Sequence, residues 1–284
     1  MTSFEDRLHH VSCNICGSSD ERIIATQNSC RVVMCRNCGF VYVNPRPDNE
    51  TLKHLYLKYL PSKIEDPLLW DAYMEDVFTK AANILMQRFP KGGRVLDVGC
   101  GYGFFLSQMN AKEWQIFGID VSPTAVSYAK GHGLNVTLGT LEDIKYEDDS
   151  FDAVTLFYVL EHLPDPLNTL MEIRRILKPD GLLVLRIPHT TPIVRILSFL
   201  GIKNNLYDPP FHLNDFSPKT IKAILKKAGF NKVHTVIGGV TRPPDMIVKM
   251  VTLSFGFMAE ISYRLSFGRF LFPGVAKTTI AERG

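Results

Sequence analysis

The segment VLDVGCGYGFF, Val95 to Phe105, is the feature that most constrains the fold. A short apolar run ending near Asp97 leads straight into Gly99, Gly101 and Gly103, and a helix is predicted from about Tyr102. Strand, glycine turn and helix in that order form a unit of an open, mostly parallel sheet. Glycine is needed in such a turn because a Cβ would hinder positive φ and the close approach of a ligand to the backbone. The N-terminus of the next helix offers N–H groups to an anionic group. The dinucleotide fingerprint G-x-G-x-x-G has its third glycine where this chain has Phe104, and no GK[ST] follows to make a phosphate loop. The next predicted strand, WQIFGID, ends in Asp120, seventeen positions after Gly103. A carboxylate there can accept hydrogen bonds from both hydroxyls of a ribose, so the ligand is nucleoside-like.

From Gly92 onward the pattern alternates. Strands are predicted at RVLDV, WQIFGI, NVTLG, FDAVTLF, GLLVLRI and KVHTVI, with helices between them. Ser122-Pro123, Asp165-Pro166 and Ser217-Pro218 read as helix starts, each a capping side chain followed by proline at the first helical position. The fold class expected is α/β: a Rossmann-like, seven-stranded, mostly parallel sheet with helices on both faces. After Val240 the alternation breaks, and KTTIAE reads as a last strand. Residues from about 243 to 273 then form a helical insertion between the final two strands, and another is placed at about 190–215.

A chain of 284 residues can bury one α/β core and carry a small extra module. Its formal charge of +3 does not give the field of a dedicated nucleic-acid binder. The start, MTSFEDRLHH, has neither an apolar core nor a cleavage-like motif, so no signal peptide is expected. No window holds the ~18 uninterrupted apolar residues of a spanning helix. Cys13, Cys16, Cys35 and Cys38 form two C-x-x-C pairs with eighteen residues between them, the spacing of a four-thiolate zinc ribbon. Four thiolates close the coordination sphere, so the zinc is structural, and a reducing cytoplasm suits the thiols. Gly17 and Gly39 mark turns behind the pairs, ERIIATQ and RVVMC are strand-like, and FVYVNPRP leaves as a strand ended by prolines. DNETLKHLYLKYL, capped by Asp48 or Asn49, and a second stretch from about Leu69 to Phe89 are helical. The domain plan is a zinc-ribbon leader over 1–47, a helical connector or lid over 48–90 and the α/β domain over 91–284.

The stretch from about Gly92 to Phe230 resembles class I S-adenosylmethionine-dependent methyltransferases. The matching pieces are VLDVGCGYGFFL, IFGIDVSPTAVSYAK, GTLEDIKYEDDSFDAVTLFYVLEHLPDP and LKPDGLLVLRIP. CNICGS…CRNCGFVYVNPRP and FHLNDFSPKTIKAILKKAGF resemble a bacterial subgroup with a cysteine-rich leader. The resemblance implies S-adenosylmethionine as methyl donor. It implies that Gly99, Cys100, Gly101 and Gly103 pack against its methionine and ribose part, with Cys100 a small residue of the turn. Asp97 would help hold its amino group, and Asp120, with Val121 beside it, would bind the ribose. Thr140, Leu141 and Glu142 correspond to the segment that meets the adenine edge, although many members have Asp where this chain has Thr140. Phe157 matches a position lining the methionine portion. Leu141 and Phe157 are also readable as core, and Tyr56 and Tyr59 either cover the cofactor or simply pack.

The acceptor side rests on histidines. Some relatives bind a divalent metal through E-x-x-E-H, but Tyr158 stands at the first position here, so Glu161 and His162 alone are not expected to hold a catalytic metal. His162, His189 at the end of the fifth predicted strand and His212 in FHLNDFS are the candidates for a general base or orienting group, each with a structural alternative. A hydroxyl acceptor needs a base to take its proton, whereas a carbanion or free amine need not. The leading expectation is a methyltransferase for a small molecule, a sugar or secondary metabolite, by O- or C-methylation. The alternatives are an RNA methyltransferase gripping RNA through the ribbon and a non-catalytic cofactor-binding protein. The few basic residues of the ribbon, Arg22, Arg31, Arg36 and Arg46, weigh against RNA. The apolar segment Met246 to Phe272, together with TTPIVRILSFLG, either packs over the crevice, makes a homodimer contact or rests on a membrane surface.

Overall fold

The leader is organised by its two cysteine turns. The computed structural model describes residues 7–63 and 66–284, without the side chains of 57–63. The Tyr59 side chain and the first part of MTSFEDRLHH lie outside what is described. Within the leader run β1 (Leu8–His9), β2 (Glu21–Gln27), β3 (Cys30–Cys35), β4 (Val41–Val43) and β5 (Arg46–Pro47). The N–H groups of Gly17 and Gly39 donate to the carbonyls of Cys13 and Cys35 at 2.8 and 3.0 Å. Both glycines have positive φ, 74° and 80°, which a side chain would oppose. Asn28 and Ser29, at φ 47° and 60°, turn β2 tightly into β3, the conformation whose twist suits a hairpin.

Two helices follow. α1 (Asn49–Lys63) starts where Asp48 accepts the Thr51 N–H at 2.8 Å, and α2 (Pro67–Arg88) starts at the Asp66 cap. The remaining elements are β6 (Arg94–Val98), α3 (Phe104–Asn110), β7 (Gln115–Asp120), α4 (Pro123–Gly131), β8 (Val136–Leu138), α5 (Leu141–Ile144) and β9 (Phe151–Phe157). A 3₁₀ turn, Leu160–His162, precedes α6 (Pro166–Ile176), β10 (Leu177–Ile187), α7 (Thr191–Phe199), β11 (Asn214–Asp215) and α8 (Pro218–Lys227). The chain closes with β12 (Phe230–Val236), α9 (Met246–Leu265) and β13 (Lys277–Arg283). Ser122, Asp165 and Ser217 each accept a backbone N–H at the helix starts expected of them. α3 begins two residues later than predicted, because Gly103 at φ 81° cannot continue a right-handed helix.

The main sheet has seven strands in the order β12-β13-β10-β9-β6-β7-β8. β8, β7, β6, β9 and β10 run parallel, and β13 is antiparallel to both β10 and β12. The fold is therefore the Rossmann-like, mostly parallel sheet expected. KTTIAE is its last strand, inserted between β10 and β12. On one face α2, α3 and α4 pack Met74, Phe78, Leu85, Phe105 and Val126 into a single core. On the other, α6 and α8 share a core with the leader: Cys13, Val33, Cys35 and Phe40 cluster with Leu96, Ile173 and Phe216. Phe40 and Phe216 pack with ring centroids 5.0 Å apart, and each buried ring contributes ~1.5–3 kcal/mol. β4 also pairs with β11, Tyr42 opposite Asn214, so the four-stranded sheet β11-β4-β3-β2 joins the leader to the main domain.

Candidate active site

The parallel strands end together, and their ends carry the donor side. Gly99, Gly101 and Gly103 have φ of 72°, 53° and 81°. A Cβ on Gly99 would lie 2.4 Å from Val159, and one on Gly103 would lie 2.5 Å from Leu134, so these two serve packing. Gly101 has nothing within 4 Å of that position and faces open space. Its N–H donates to Asp120 Oδ2 at 2.8 Å, and the Ser122 N–H donates to Oδ1 at 2.8 Å. The glycine turn thus orients the carboxylate at the end of β7. Burial pushes the Asp120 pKa up, against the pull of those backbone donors.

Asp97 sits opposite Thr155 in the β6–β9 register and accepts its hydroxyl at 2.6 Å. Burial, with the nearby Asp120 charge adding to it, pushes its carboxyl up to about 8. A fully buried carboxylate needs a cation to ionise. The amino group of a cofactor fits that need, and the open space at Gly101 fits its approach.

The other predicted donor residues differ in how they are held. Cys100 is buried, its sulfur 2.9 Å from where a Gly118 Cβ would stand, so it turns toward β7. Val121 is exposed beside Asp120. Thr140 caps α5, its hydroxyl exchanging hydrogen bonds with Asp143. Leu141 is buried with Val98 and Ile119, and Glu142 accepts the Thr169 hydroxyl at 3.0 Å. Phe157 closes an aromatic cluster, 5.0 Å from Phe78 and 4.9 Å from Phe105.

The acceptor candidates separate. His162 and His212 stand edge to face with centroids 4.7 Å apart, and donor atoms of Glu161, His162 and His212 lie within 4.8 Å of one another. His162 Nδ1 is 2.9 Å from the Phe211 carbonyl, which can only accept, so the proton is on Nδ1 and the lone pair on Nε2. Burial, with His212 beside it, holds His162 down to about 3. Glu161 is 1% exposed and neither carboxylate oxygen has a hydrogen-bond partner; burial pushes it up to about 8. The Tyr56 hydroxyl lies 2.7 and 2.6 Å from the carbonyls of His162 and Phe211 and shares its hydrogen between them. His189 is outside this cluster, with Lys277 Nζ 3.0 Å from its Nδ1. Tyr158, which stands at the first glutamate position of the E-x-x-E-H motif, takes φ 58° and accepts from Arg186 Nε at 3.1 Å.

Glu161 is the residue whose weight the sequence reading underestimated. The third member of the cluster, His212, arrives from fifty residues beyond His162, held by Asn214, which donates to the Leu163 carbonyl at 2.8 Å. Thr155 was also missed, although a lone hydroxyl inside FDAVTLF was a signal available in the sequence. In the leader the four thiols lie within 4.8 Å of one another. Cys13 to Cys38 and Cys16 to Cys35 are each 3.5 Å. A tetrahedron with ~2.3 Å Zn–S bonds has edges close to that length, so the donor set fits zinc.

The profile of the methyltransferase domain family matches residues 70–235, from α2 to β12. The chain belongs to that family and is an S-adenosylmethionine-dependent methyltransferase. Ubiquinone biosynthesis O-methyltransferase of Xanthomonas axonopodis pv. citri is 36% identical over 165 residues, covering 54% of this chain and 69% of that protein. Its counterpart in Xanthomonas oryzae pv. oryzae is 37% identical over 148 residues, covering 48% of this chain and 62% of the relative. The chain thus spans about three fifths of the length of that second relative. Among solved structures, an S-adenosylmethionine-dependent methyltransferase of Thermotoga maritima aligns with a TM-score of 0.55 at 19% identity, covering 81% of this chain and 99% of that one. One from Archaeoglobus fulgidus aligns at 0.52 and 22% identity, covering 76% and 98%. Both share the fold.

Proposed function

We propose that the protein methylates a hydroxyl of a small metabolite. The observation that carries this reading is the Glu161–His162–His212 cluster, with Glu161 buried and both histidines half-buried, a proton-accepting group that follows β9 just after Val159, the residue packed on Gly99 of the donor turn. Relatives named as O-methyltransferases support it. Two acceptor classes follow: a sugar or related metabolite, as expected from the leader, and a phenol, as the relatives named for ubiquinone biosynthesis suggest. RNA is disfavoured, since Arg46 is buried and Arg36 is paired with Asp20. Transfer of labelled methyl to nucleotide sugars, dihydroxyphenols and RNA tests the reading. Label confined to RNA, or to amines, would overturn it.

S-adenosylmethionine, when bound, supplies an electrophilic methyl group on a sulfonium. Asp120 would take the ribose hydroxyls, each carboxylate oxygen having a lone pair beyond the one its backbone donor uses. Asp120→Ala is expected to weaken cofactor binding about a hundredfold, the worth of ~1.5–3 kcal/mol per hydrogen bond to a charged group. Calorimetry reads it, and an unchanged melting temperature shows that the turn survives. Asp97 would receive the cofactor amino group. Because Asp97 is protonated below about 8 without a partner, a cationic neighbour lowers its pKa and binding releases a proton. Cofactor affinity is therefore expected to rise with pH up to about 8, by at most about tenfold per unit. Calorimetry in buffers of different ionisation heat should show the released proton, absent in Asp97→Asn.

His162 Nε2 or His212 would accept the proton of the acceptor hydroxyl, with Glu161, ionised above about pH 8, balancing the imidazolium formed. A divalent cation on Glu161, His162 and His212 is a second reading, favoured by the orphaned carboxylate. Metal content separates the two: a second equivalent lost in Glu161→Gln supports the cation, and one equivalent in both proteins supports the base. Cys13, Cys16, Cys35 and Cys38 would hold the remaining, structural zinc, and thiolate ligation suits the reducing cytoplasm expected.

A further inference from the structure

α9 inverts the usual arrangement of an amphipathic helix. The side it turns to the body is small or polar: Gly256 abuts Val240, Ala259 is buried, and the Tyr263 hydroxyl meets His234 Nε2 at 2.9 Å. The opposite side carries Ile247, Val251, Phe257, Met258, Ile261 and Leu265, all exposed, with Ile247 at 70%, Phe257 at 67% and Leu265 at 77%. A helix on a water-soluble domain places its large apolar residues inward. The apolar ground continues beyond α9. Phe272 packs between Phe255 and Phe270, and nearby Gly274 lies against Ile193 of α7, whose Ile196 and Phe199 are exposed. An apolar patch of this extent marks an interaction surface.

Its net charge is positive. Residues 191–206 contain Arg195 and Lys203 and no acidic residue, while 246–273 contain Lys249, Arg264 and Arg269 against Glu260 alone. Glu260 is itself paired with Arg264 at 2.9 Å. Basic residues bordering exposed apolar side chains match anionic headgroups over acyl chains. By length and composition α9 could also cross a bilayer. Its connections forbid that, because β12 and β13 are neighbours in one sheet and only 11 residues, 266–276, lead back from the helix. Those residues would have to recross ~30 Å of hydrocarbon with an unpaired backbone.

We propose that α9 and α7 seat the protein on an anionic bilayer surface, with α9 lying along the interface and its outer face among the acyl chains. α7 starts at Thr191, whose N–H donates to Asp215 at 3.0 Å, three residues after His212. The surface therefore adjoins the acceptor cluster. The inference is independent of the acceptor class.

The full-length protein should pellet with vesicles of phosphatidylcholine and phosphatidylglycerol, and at least tenfold less with phosphatidylcholine alone. Phe257→Glu combined with Ile261→Glu should abolish pelleting, and Lys203→Gln combined with Arg269→Gln should weaken it and flatten its salt dependence. Cofactor affinity in all variants should equal that of the parent, which shows that the fold is intact. Failure to pellet would overturn the proposal. So would a stable dimer in vesicle-free buffer that the glutamate pair dissociates, since the apolar face would then belong to a second copy.

Discussion

The purified protein is expected to carry one zinc on the four leader thiols, and Cys16→Ser to release it and to lower methyl transfer at least ~10²-fold, while cofactor affinity changes little. Structural zinc bound by four thiolates stabilises small ribbons by ~10–16 kcal/mol, more than a unit of this size gains from its own core. Cys16 is the exposed member of the set, so its loss removes a ligand with the least loss of packing. The effect reaches the acceptor side through one seam. Val43 N–H donates to the Leu213 carbonyl at 2.9 Å, next to His212, and β4 pairs with β11 just beyond it. Freeing the ribbon frees His212, and a displacement of ~1 Å at a reacting group costs about a hundredfold. Asp97, Asp120 and the glycine turn lie on β6 and β7, away from that seam. Zinc content, hydrogen exchange at β4 and β11, and kcat set against cofactor Kd separate the outcomes. A zinc-free protein with normal kcat would remove the leader from the mechanism.

His162→Ala is expected to lower kcat by ~10²–10⁴, the usual contribution of a positioned general base. Glu161→Gln should have a comparable effect above about pH 8, where the Glu161 carboxyl is ionised and stands as counter-charge to the imidazolium that forms. His189→Ala, by contrast, should lower kcat less than tenfold, since that ring is engaged with Lys277 outside the cluster. Cofactor affinity serves as the control in each variant. Equal losses at His162 and His189 would dissolve the distinction that the geometry draws between them.

The donor side was legible because its parts are local. Asp97, the three glycines and Asp120 belong to two successive strands of one sheet, so spacing alone places them together. The helix starts at Ser122, Asp165 and Ser217 were legible for the same reason, a cap and a proline being adjacent in sequence. On the acceptor side the histidines were named one by one, but not their meeting. His212 meets His162 only because β11 joins the leader's sheet and Asn214 reaches the 3₁₀ turn, and no periodicity records a pairing between a two-residue strand and one fifty residues or more away. The start of α3 was misplaced by two residues, since the left-handed backbone expected of the glycine turn continues through Gly103.

The leader and α9 are attached to the sheet in opposite ways. The leader is woven in, sharing a core and a strand pairing, and cannot be lifted out without opening both. β12 and β13 are antiparallel neighbours, a pair that two residues can connect. The chain runs through 40 residues there, 237–276. The buried Arg186 guanidinium fastens the start of that excursion, donating to the carbonyls of Ile237, Gly238 and Gly239 at 2.8, 3.0 and 2.8 Å. What lies past those residues is an appendage on a closed frame, open to shortening, exchange or grafting onto another sheet of this kind.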